Sequence, residues 1–242
     1  MARDVARRVL LKLSGEALGG ESGTGLDHLA LTAISSQIAR ASGSVELAIV
    51  VGAGNICRGA DWATEGFHRT DADAIGMAAT HVNALALSAH LGFAGLKTMV
   101  MGAGSPVPQV RPFHSSIARE ALAAGTTLLL SGGTGNPYFT TDTCAALRAA
   151  ELDCTELLKG TKHDGIYDRD PVEYPDARRL DSTTFDHVLE QGLEAMDATA
   201  FTLCRDQQIS LRIFDMTREN AIHEALIGEP VGSLISQQSA TS

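Results

Sequence analysis

Two patterns of hydrophobic residues alternate along this chain, and each predicts a different kind of element. Runs of consecutive apolar residues predict buried strands over 9–13, 45–51, 96–101, 126–131, 155–159, 209–214 and 231–235. Apolar residues that recur every three or four positions predict helices after Asp27 and over 73–91, 114–124, 141–151, 184–193, 196–207 and 219–227. Residues 163–180 are rich in Asp, Gly and Pro, which predicts a turn-rich loop or a hairpin.

The order of these elements predicts the fold class. Strands and helices alternate, and the strands lack an apolar–polar alternation, so we expect an α/β fold whose mostly parallel sheet is covered on both faces. The sequence has no internal repeat and no Pro/Ser-rich linker. We therefore expect one domain over 1–242 with two lobes, about 1–150 and about 151–236, followed by a flexible polar tail at 237–242.

Composition and charge exclude several classes of protein. The 242 residues include 19 Lys and Arg against 29 Asp and Glu, and the net charge of −10 argues against binding of DNA or RNA. The apolar runs are too short to cross a bilayer. Four cysteines form no C-x-x-C pair, so we expect no zinc or redox site and a reducing, cytoplasmic location. A small anion can still bind through backbone N–H groups and a few basic side chains.

Three glycine-rich stretches directly follow predicted strands, at 13–15, 52–55 and 132–137. The carboxyl ends of parallel strands meet at one edge of a sheet, where ligands bind. Loops of small residues expose N–H groups that can form a phosphate cradle, although each loop alone is equally typical of a tight strand-to-helix turn. The sequence contains neither G-x-x-x-x-G-K-[ST] nor G-x-G-x-x-G, which argues against a P-loop enzyme and against a common dinucleotide-binding fold.

Charged residues beside these loops are the candidates for chemistry. Lys12 ends the first strand and Arg58 follows the second loop, so each is a candidate phosphate cation; the alternatives are a snorkelling lysine and an exposed surface arginine. Asp142 lies in the first turn of a predicted helix, where it either orients a lysine or complements the helix dipole. Asp73, near the start of the long helix, has the same ambiguity, and at a nucleotide site its carboxylate would accept both ribose hydroxyls.

Five motifs together resemble one known family. They are LKLSGEAL at 11–18, the Gly-x-Gly-Asn-x-x-Arg-Gly pattern at 52–59, TGNPYFTTDT at 134–143, TKHDGIY at 161–167 and GEPVGSLI at 228–235. This set is similar to the bacterial uridylate (UMP) kinases of the amino-acid kinase superfamily, over about residues 8–236. The resemblance implies a three-layer αβα sandwich with a central, mainly parallel sheet. It also implies the reversible reaction ATP + UMP → ADP + UDP, and Mg²⁺ bound mainly through the ATP phosphates. The same resemblance implies a homohexamer, with GTP as activator and UTP as inhibitor.

The resemblance also carries residue roles onto this sequence. The catalytic group would be Lys12, Arg58 and Asp142, with Asp142 orienting Lys12. The ATP ligands would be Lys12, Leu13, Ser14, Gly15, Gly54, Arg58, Thr161, Tyr167 and Asp170. In this arrangement the lobe of residues 1–150 would bind the phosphoryl acceptor, and the lobe of residues 151–236 would lie on the ATP side. The UMP ligands would be Ala53, Asp73, Thr134, Gly135, Asn136, Pro137, Tyr138, Phe139, Thr140 and Thr141. The GTP segment would be Gly20, Glu21, Ser22, Gly23, Thr24 and Gly25, and no protein metal site is implied.

The sequence departs from the family pattern at two positions, and two other functions stay open. Ala53 replaces the middle one of three usual glycines, and His163 stands where an aliphatic residue is commoner and receives no role. A sibling kinase that phosphorylates a carboxylate or carbamate would share Lys12 and the glycine loops but would lack the Asn136–Phe139 type of loop. A non-catalytic nucleotide sensor could use the same fold, although Lys12, Arg58 and Asp142 are all present.

Overall fold

The computed structural model describes residues 7–57, 66–104, 107–193 and 196–237. Its strands are β1 (Arg8–Leu13), β2 (Glu46–Val51), β3 (Thr98–Gly102), β4 (Arg111–Pro112), β5 (Thr127–Ser131), β6 (Glu156–Thr161), β7 (Ile166–Tyr167), β8 (Arg179–Leu180), β9 (Ser182–Thr184), β10 (Ser210–Asp215) and β11 (Ser233–Ser236). Its helices are α1 (Gly15–Leu18), α2 (His28–Arg40), α3 (Arg69–Phe93), α4 (Ser115–Ala123), α5 (Thr141–Glu151), α6 (Phe185–Gln191), α7 (Ala198–Asp206) and α8 (Ala221–Ile227), with a 3₁₀ turn at Gly20–Ser22.

Nine strands form one central sheet in the order β4-β3-β5-β2-β1-β6-β10-β11-β9. All neighbouring pairs in this sheet are parallel except β10 and β11. The strands β7 and β8 form a separate antiparallel pair. Of the two structures predicted for residues 163–180, a turn-rich loop or a hairpin, the hairpin is therefore the one observed. The expected α/β class with a mainly parallel sheet is confirmed.

Both faces of the sheet are covered, which gives three layers. Successive side chains of β1 point to opposite faces, and Leu10 accordingly belongs to one hydrophobic cluster while Val9, Leu11 and Leu13 belong to the other. The first cluster contains apolar residues of α4, α5, α6 and α7, and the second contains those of α2, α3 and α8. Because the central strands are buried on both sides, they read in the sequence as unbroken apolar runs.

The strands that precede the three glycine loops, β1, β2 and β5, are adjacent and parallel. Their carboxyl ends therefore lie side by side at one edge of the sheet, as the sequence predicts. A Cβ on Gly15 would lie 2.7 Å from the Gly54 nitrogen and 2.8 Å from the Gly52 oxygen, so the first two loops are in close contact. The edge brings both loops and the start of α5 to one place.

Some elements differ from the sequence-based expectation. The long helix begins at Arg69, one turn before the expected position 73, and so Asp73 lies inside its second turn. The sequence does not predict the short β4, β9 and α1, because segments of two to four residues carry no measurable period. Within the described ranges no helix is long and apolar enough to span a membrane.

Candidate active site

Two lysines and one carboxylate form the charged centre of the edge where the glycine loops meet. Lys12 on β1 and Lys159 on β6 are directly opposite each other in the parallel register of these strands. The Asp142 carboxylate lies between them, with Oδ1 at 2.9 Å from Lys12 Nζ and Oδ2 at 2.7 Å from Lys159 Nζ. The three side chains are only 12–14% exposed. The lysines thus present two fixed positive charges at the sheet edge.

The pKa shifts of this group follow from its burial and its charges. Burial alone would raise the pKa of Asp142, but the charges of Lys12 and Lys159 outweigh burial and hold that pKa below its ordinary value. Burial lowers the pKa of Lys159, because the attraction of Asp142 offsets desolvation only in part and Lys12 adds repulsion. Asp142 therefore stays ionised and keeps both ammonium groups in place.

The first turn of α5 positions Asp142. Thr140 is the N-cap residue, and its hydroxyl oxygen accepts hydrogen bonds from the backbone N–H groups of Asp142 (3.1 Å) and Thr143 (3.3 Å). The Thr140 hydroxyl in turn donates to Asp197 Oδ2, and the Thr143 hydroxyl donates to Asp197 Oδ1 at 2.8 Å. Asp197 also caps α7 by accepting from the Ala200 N–H at 2.9 Å. The carboxylate of Asp197 therefore joins the N-termini of two helices beside the lysines.

Buried amides fix the loop that follows β2. Asn83 of α3 donates from Nδ2 to the Gly52 oxygen and to Asn55 Oδ1, both at 2.7 Å. Asn55 is bound to Gly25 by two hydrogen bonds: its Nδ2 donates to the Gly25 oxygen, and the Gly25 N–H donates to the Asn55 oxygen at 2.8 Å. Ala53 is buried within this loop. The segment from Gly20 to Gly25, which carries Glu21, Ser22, Gly23 and Thr24, thus ends against the loop of Gly54.

The stretch from Thr134 to Thr141 extends from the edge as a mostly exposed loop that also holds Gly135, Pro137 and Phe139. Thr134 Oγ1 accepts from the Asn136 N–H at 3.1 Å and so closes a local turn. Tyr138 has a left-handed backbone with φ of 74°, and its N–H donates to Asp73 Oδ2 at 2.7 Å. The Asp73 carboxylate also accepts a hydrogen bond from Arg69 Nε at 2.9 Å. The fold therefore brings Asp73 against the loop of residues 134–141, which the family resemblance groups with it as UMP ligands.

A cavity of about 550 Å³ lies next to Lys159, beside β6 and β10. It is lined by Lys159, Thr161, His163, Gly165, Met196, Asp197 and Ile213. Its volume and mixed lining are typical of a site for a small organic ligand. Thr161, an expected ATP ligand, lines it and holds the backbone of His163 through Oγ1, which accepts from the His163 N–H at 2.7 Å.

Several expected site residues lie away from the cavity, and one lies outside the residues that the structure describes. Tyr167 donates its hydroxyl to Asp164 at 2.9 Å, and Asp170 accepts from the Val172 N–H at 2.8 Å; neither belongs to the lining of the cavity. Leu13 is fully buried, and Ser14 is the N-cap residue that precedes α1. Arg58 lies outside the described residues. A second cavity of about 590 Å³, between α8 and residues 229–232, contains none of the expected site residues.

Sequence reasoning missed Lys159 of the charged centre and Asp197 beside it. Lys159 interrupts an apolar strand just as Lys12 does, so the argument applied to Lys12 could have found it. Asp197 gives no such signal, because an Asp before a helix is typical of an N-cap. His163 also lines the cavity, although the sequence analysis assigned it no role. No group of three or more His, Cys, Asp or Glu side chains able to hold a metal occurs in the part of the chain that the structure describes.

The chain is similar to known proteins over nearly its whole length. The model of the amino acid kinase family matches residues 7–215. The structure of a UMP kinase from Ureaplasma parvum is 34% identical, with a TM-score of 0.90 over 96% of this chain and 99% of that chain. A UMP kinase structure from Bacillus anthracis is 30% identical, with a TM-score of 0.91 over 97% and 98%. A uridylate kinase structure from Archaeoglobus fulgidus, at 24% identity and a TM-score of 0.71 over 94% and 99%, shares the fold.

The extent of these matches decides the family. The family model includes all three glycine loops, Lys12, Asp142, Lys159 and Asp197, and the two relatives at or above 30% identity extend over nearly the whole chain. The chain belongs to the amino acid kinase family.

Proposed function

We propose that this protein is a UMP kinase that transfers the γ-phosphoryl group of ATP reversibly to UMP, giving ADP and UDP. The observation that carries the proposal is the pairing of Lys12 and Lys159 with Asp142 at the carboxyl edge of the sheet. The cavity lined by Thr161 includes Lys159 of this centre, and the loop from Thr134 to Thr141 leads into the helix that carries Asp142. The UMP kinases among the solved relatives support the choice of acceptor.

The proposed mechanism is direct in-line transfer between two phosphates. Both substrates are anionic, so positioning and charge stabilisation make up most of the catalysis. Lys12 and Lys159 would stabilise negative charge on the transferred group, and Asp142 would hold both ammonium groups at fixed positions. Arg58 would neutralise a further phosphate. No strong general base is required, because the UMP phosphate is already ionised near neutral pH.

Each nucleotide would have its own side of the centre. ATP would bind through Lys12, Leu13, Ser14, Gly15, Gly54, Arg58, Thr161, Tyr167 and Asp170, next to the 550 Å³ cavity. UMP would bind through Ala53, Asp73 and residues 134–141, with Asp73 accepting the ribose hydroxyls. In this division residues 1–150 form the acceptor lobe and residues 151–236 the ATP lobe of a single domain.

Mg²⁺ is the cofactor of the proposed reaction, and the donor set here suits an ion held mainly by phosphates. Both oxygens of Asp142 are engaged by lysines, and Asp197 supplies the one carboxylate among the residues that line the cavity. Mg²⁺ retains waters and needs only one or two protein carboxylates when phosphates supply ligands. When bound, Mg²⁺ would neutralise phosphate charge, and Asp197 is the residue of the cavity that would hold it.

Regulation, assembly and location complete the proposal. Residues 20–25 would form the GTP-activation segment, since Gly25 is hydrogen-bonded directly to Asn55 in the loop that follows β2. UTP would inhibit, the chain would form a homohexamer, and the enzyme would act in the cytoplasm without a nucleic-acid or membrane partner. Sedimentation with and without nucleotide, and UMP turnover with GTP and UTP added in turn, test these points.

The acceptor is tested with purified protein, ATP and Mg²⁺. UMP, CMP and AMP are supplied in parallel with carbamate, glutamate and aspartate, and ADP release is followed together with the phosphorylated product. We expect UDP from UMP at a rate well above that of the other acceptors. Preferred transfer to carbamate or a carboxylate would replace the proposal with a sibling kinase, and UMP binding without turnover would replace it with a nucleotide sensor.

A further inference from the structure

One stripe of α3 contacts the loop that follows β5 along its length. Asp73 accepts from the Tyr138 N–H at 2.7 Å, and a Cβ on Gly133 would lie 3.2 Å from Met77 Cγ. Thr80 Oγ1 accepts from the Gly132 N–H at 2.7 Å. These α3 residues, with His81, are spaced i, i+4, i+7 and i+8, which places them on one face of a helix. The loop therefore lies along the helix and runs in the opposite direction.

His81 forms the buried end of this stripe. It is 6% exposed, and its Nδ1 lies 2.8 Å from the Oγ atom of Ser131, which is the last residue of β5. A Cβ on Gly102 or on Gly132 would lie 3.0 or 3.1 Å from His81 Cε1, so the imidazole ring packs against both backbones. The ring thus contacts β3 and β5 where the loop begins.

The first residues of the loop also pack closely against Ala103. Gly132 and Gly133 have left-handed backbones with φ of 77° and 58°. A Cβ on Gly132 would lie 2.4 Å from the Ala103 oxygen, and one on Gly135 would lie 3.1 Å from Ala103 Cβ. The start of the loop therefore contacts Ala103 as well as Thr80 and His81.

We propose that His81, acting through Ser131, is a positioning residue for UMP. This inference rests on the proposed function, because residues 134–141 are the proposed UMP ligands. His81 touches neither substrate in this account. It sets the position of Gly132 and Gly133, which join the rigid strand to the UMP loop, and a small displacement there is carried along the loop to its ligands.

The test compares variants of His81 and Ser131 with a control on the same helix. His81→Leu removes the polar contact, whereas His81→Asn keeps a polar atom near the place of Nδ1. Ser131→Ala removes the same hydrogen bond from the other side with a smaller change of volume. His90→Leu is the control, because His90 lies on α3 and bonds to His28 and to the Ala86 oxygen, away from the loop.

Steady-state kinetics with UMP and ATP varied in turn give the readout. His81→Leu and Ser131→Ala should raise the KM for UMP by about fivefold or more, the usual size of a lost buried hydrogen bond, with the KM for ATP nearly unchanged. His81→Asn should recover most of the loss, and His90→Leu should change neither KM. Combining His81→Leu with Ser131→Ala should add little to either single change.

Two results would overturn the inference. Equal changes in both KM values, or no change in Ser131→Ala, would leave His81 with a structural role only; Ser131→Ala decides the question even where His81→Leu fails to fold. If the unmodified protein binds UMP and converts it to UDP, such a result sinks this inference alone. If the unmodified protein forms no UDP, the proposed function fails and this inference fails with it.

Discussion

Lys12 and Lys159 stand opposite each other in the register of two parallel strands, and a single carboxylate separates their ammonium groups. The two positive charges are therefore positioned by the sheet itself, which is the most rigid part of the fold, while the loops around them provide the backbone N–H groups. Asp142 offsets their mutual repulsion, because its carboxylate pairs with both buried ammonium groups.

Replacement of Asp142 by Asn should lower kcat by about a hundredfold or more, the usual effect of removing one preorganised electrostatic group. The variant leaves two neighbouring ammonium groups without their shared counter-charge. Asp186→Asn is the matched control, because Asp186 occupies the same second helical position after a threonine N-cap and is exposed. Equal turnover in the two variants would reduce Asp142 to a favourable charge at a helix end.

Replacement of Lys159 by Met should lower kcat to a similar extent, while the KM for UMP changes little. The methionine retains the unbranched stem in the apolar strand and removes only the charge near the transferred group. Lys97→Met serves as the control, since Lys97 is exposed and precedes β3 at the opposite edge of the sheet. Full activity of Lys159→Met would show that Lys12 alone stabilises the transferred phosphoryl group.

Asp73→Asn should raise the KM for UMP more than the KM for ATP. Asparagine can still accept the Tyr138 N–H, but it loses the charge that pairs with Arg69 and the second acceptor for ribose. Asp71→Asn is the control, because Asp71 lies two residues earlier on the same helix and is exposed; it should change neither KM value. A uniform rise in both KM values of Asp73→Asn would contradict a role in ribose binding.

The stability of the protein should fall as the pH drops below about 6.5, the ordinary pKa of histidine, in part because of His81. Burial lowers the pKa of His81 in the folded state, so the unfolded chain binds this proton at a higher pH than the folded chain does. Stability linked to His81 is thus complete above the unfolded pKa and decreases as the pH approaches the folded pKa from above. Urea midpoints at pH 7.5 and 5.5 should differ less in His81→Asn than in the unmodified protein; an equal difference would contradict this linkage.

The layered sheet was predictable because its central strands are buried on both faces and therefore read as unbroken apolar runs. The position of the glycine loops followed from that parallel order. The helix expected after Asp27 begins at the next residue, where the Asp27 carboxylate accepts from the Ala30 N–H. The direction of β11 was not predictable, because an antiparallel end strand has the same apolar residues as a parallel one.

Of the charged centre and the neighbouring Asp197, only half of the residues were predictable, for a related reason. Lys12 and Asp142 lie in local patterns that single them out. The importance of Lys159 depends on its register against β1, and that of Asp197 depends on the packing of α7 against α5; both are contacts between segments far apart in the sequence. His81 is a similar case, since only the fold brings it against Ser131.

The most direct test of phosphoryl transfer at this centre follows labelled γ-phosphate from ATP in a single turnover with UMP. It compares the unmodified protein with Lys12→Ala. We expect the label to appear in UDP with the unmodified protein and to remain in ATP with the variant over the same time. Label released only as inorganic phosphate by the unmodified protein, or equal amounts of labelled UDP from both proteins, would contradict transfer at the Lys12–Asp142–Lys159 centre.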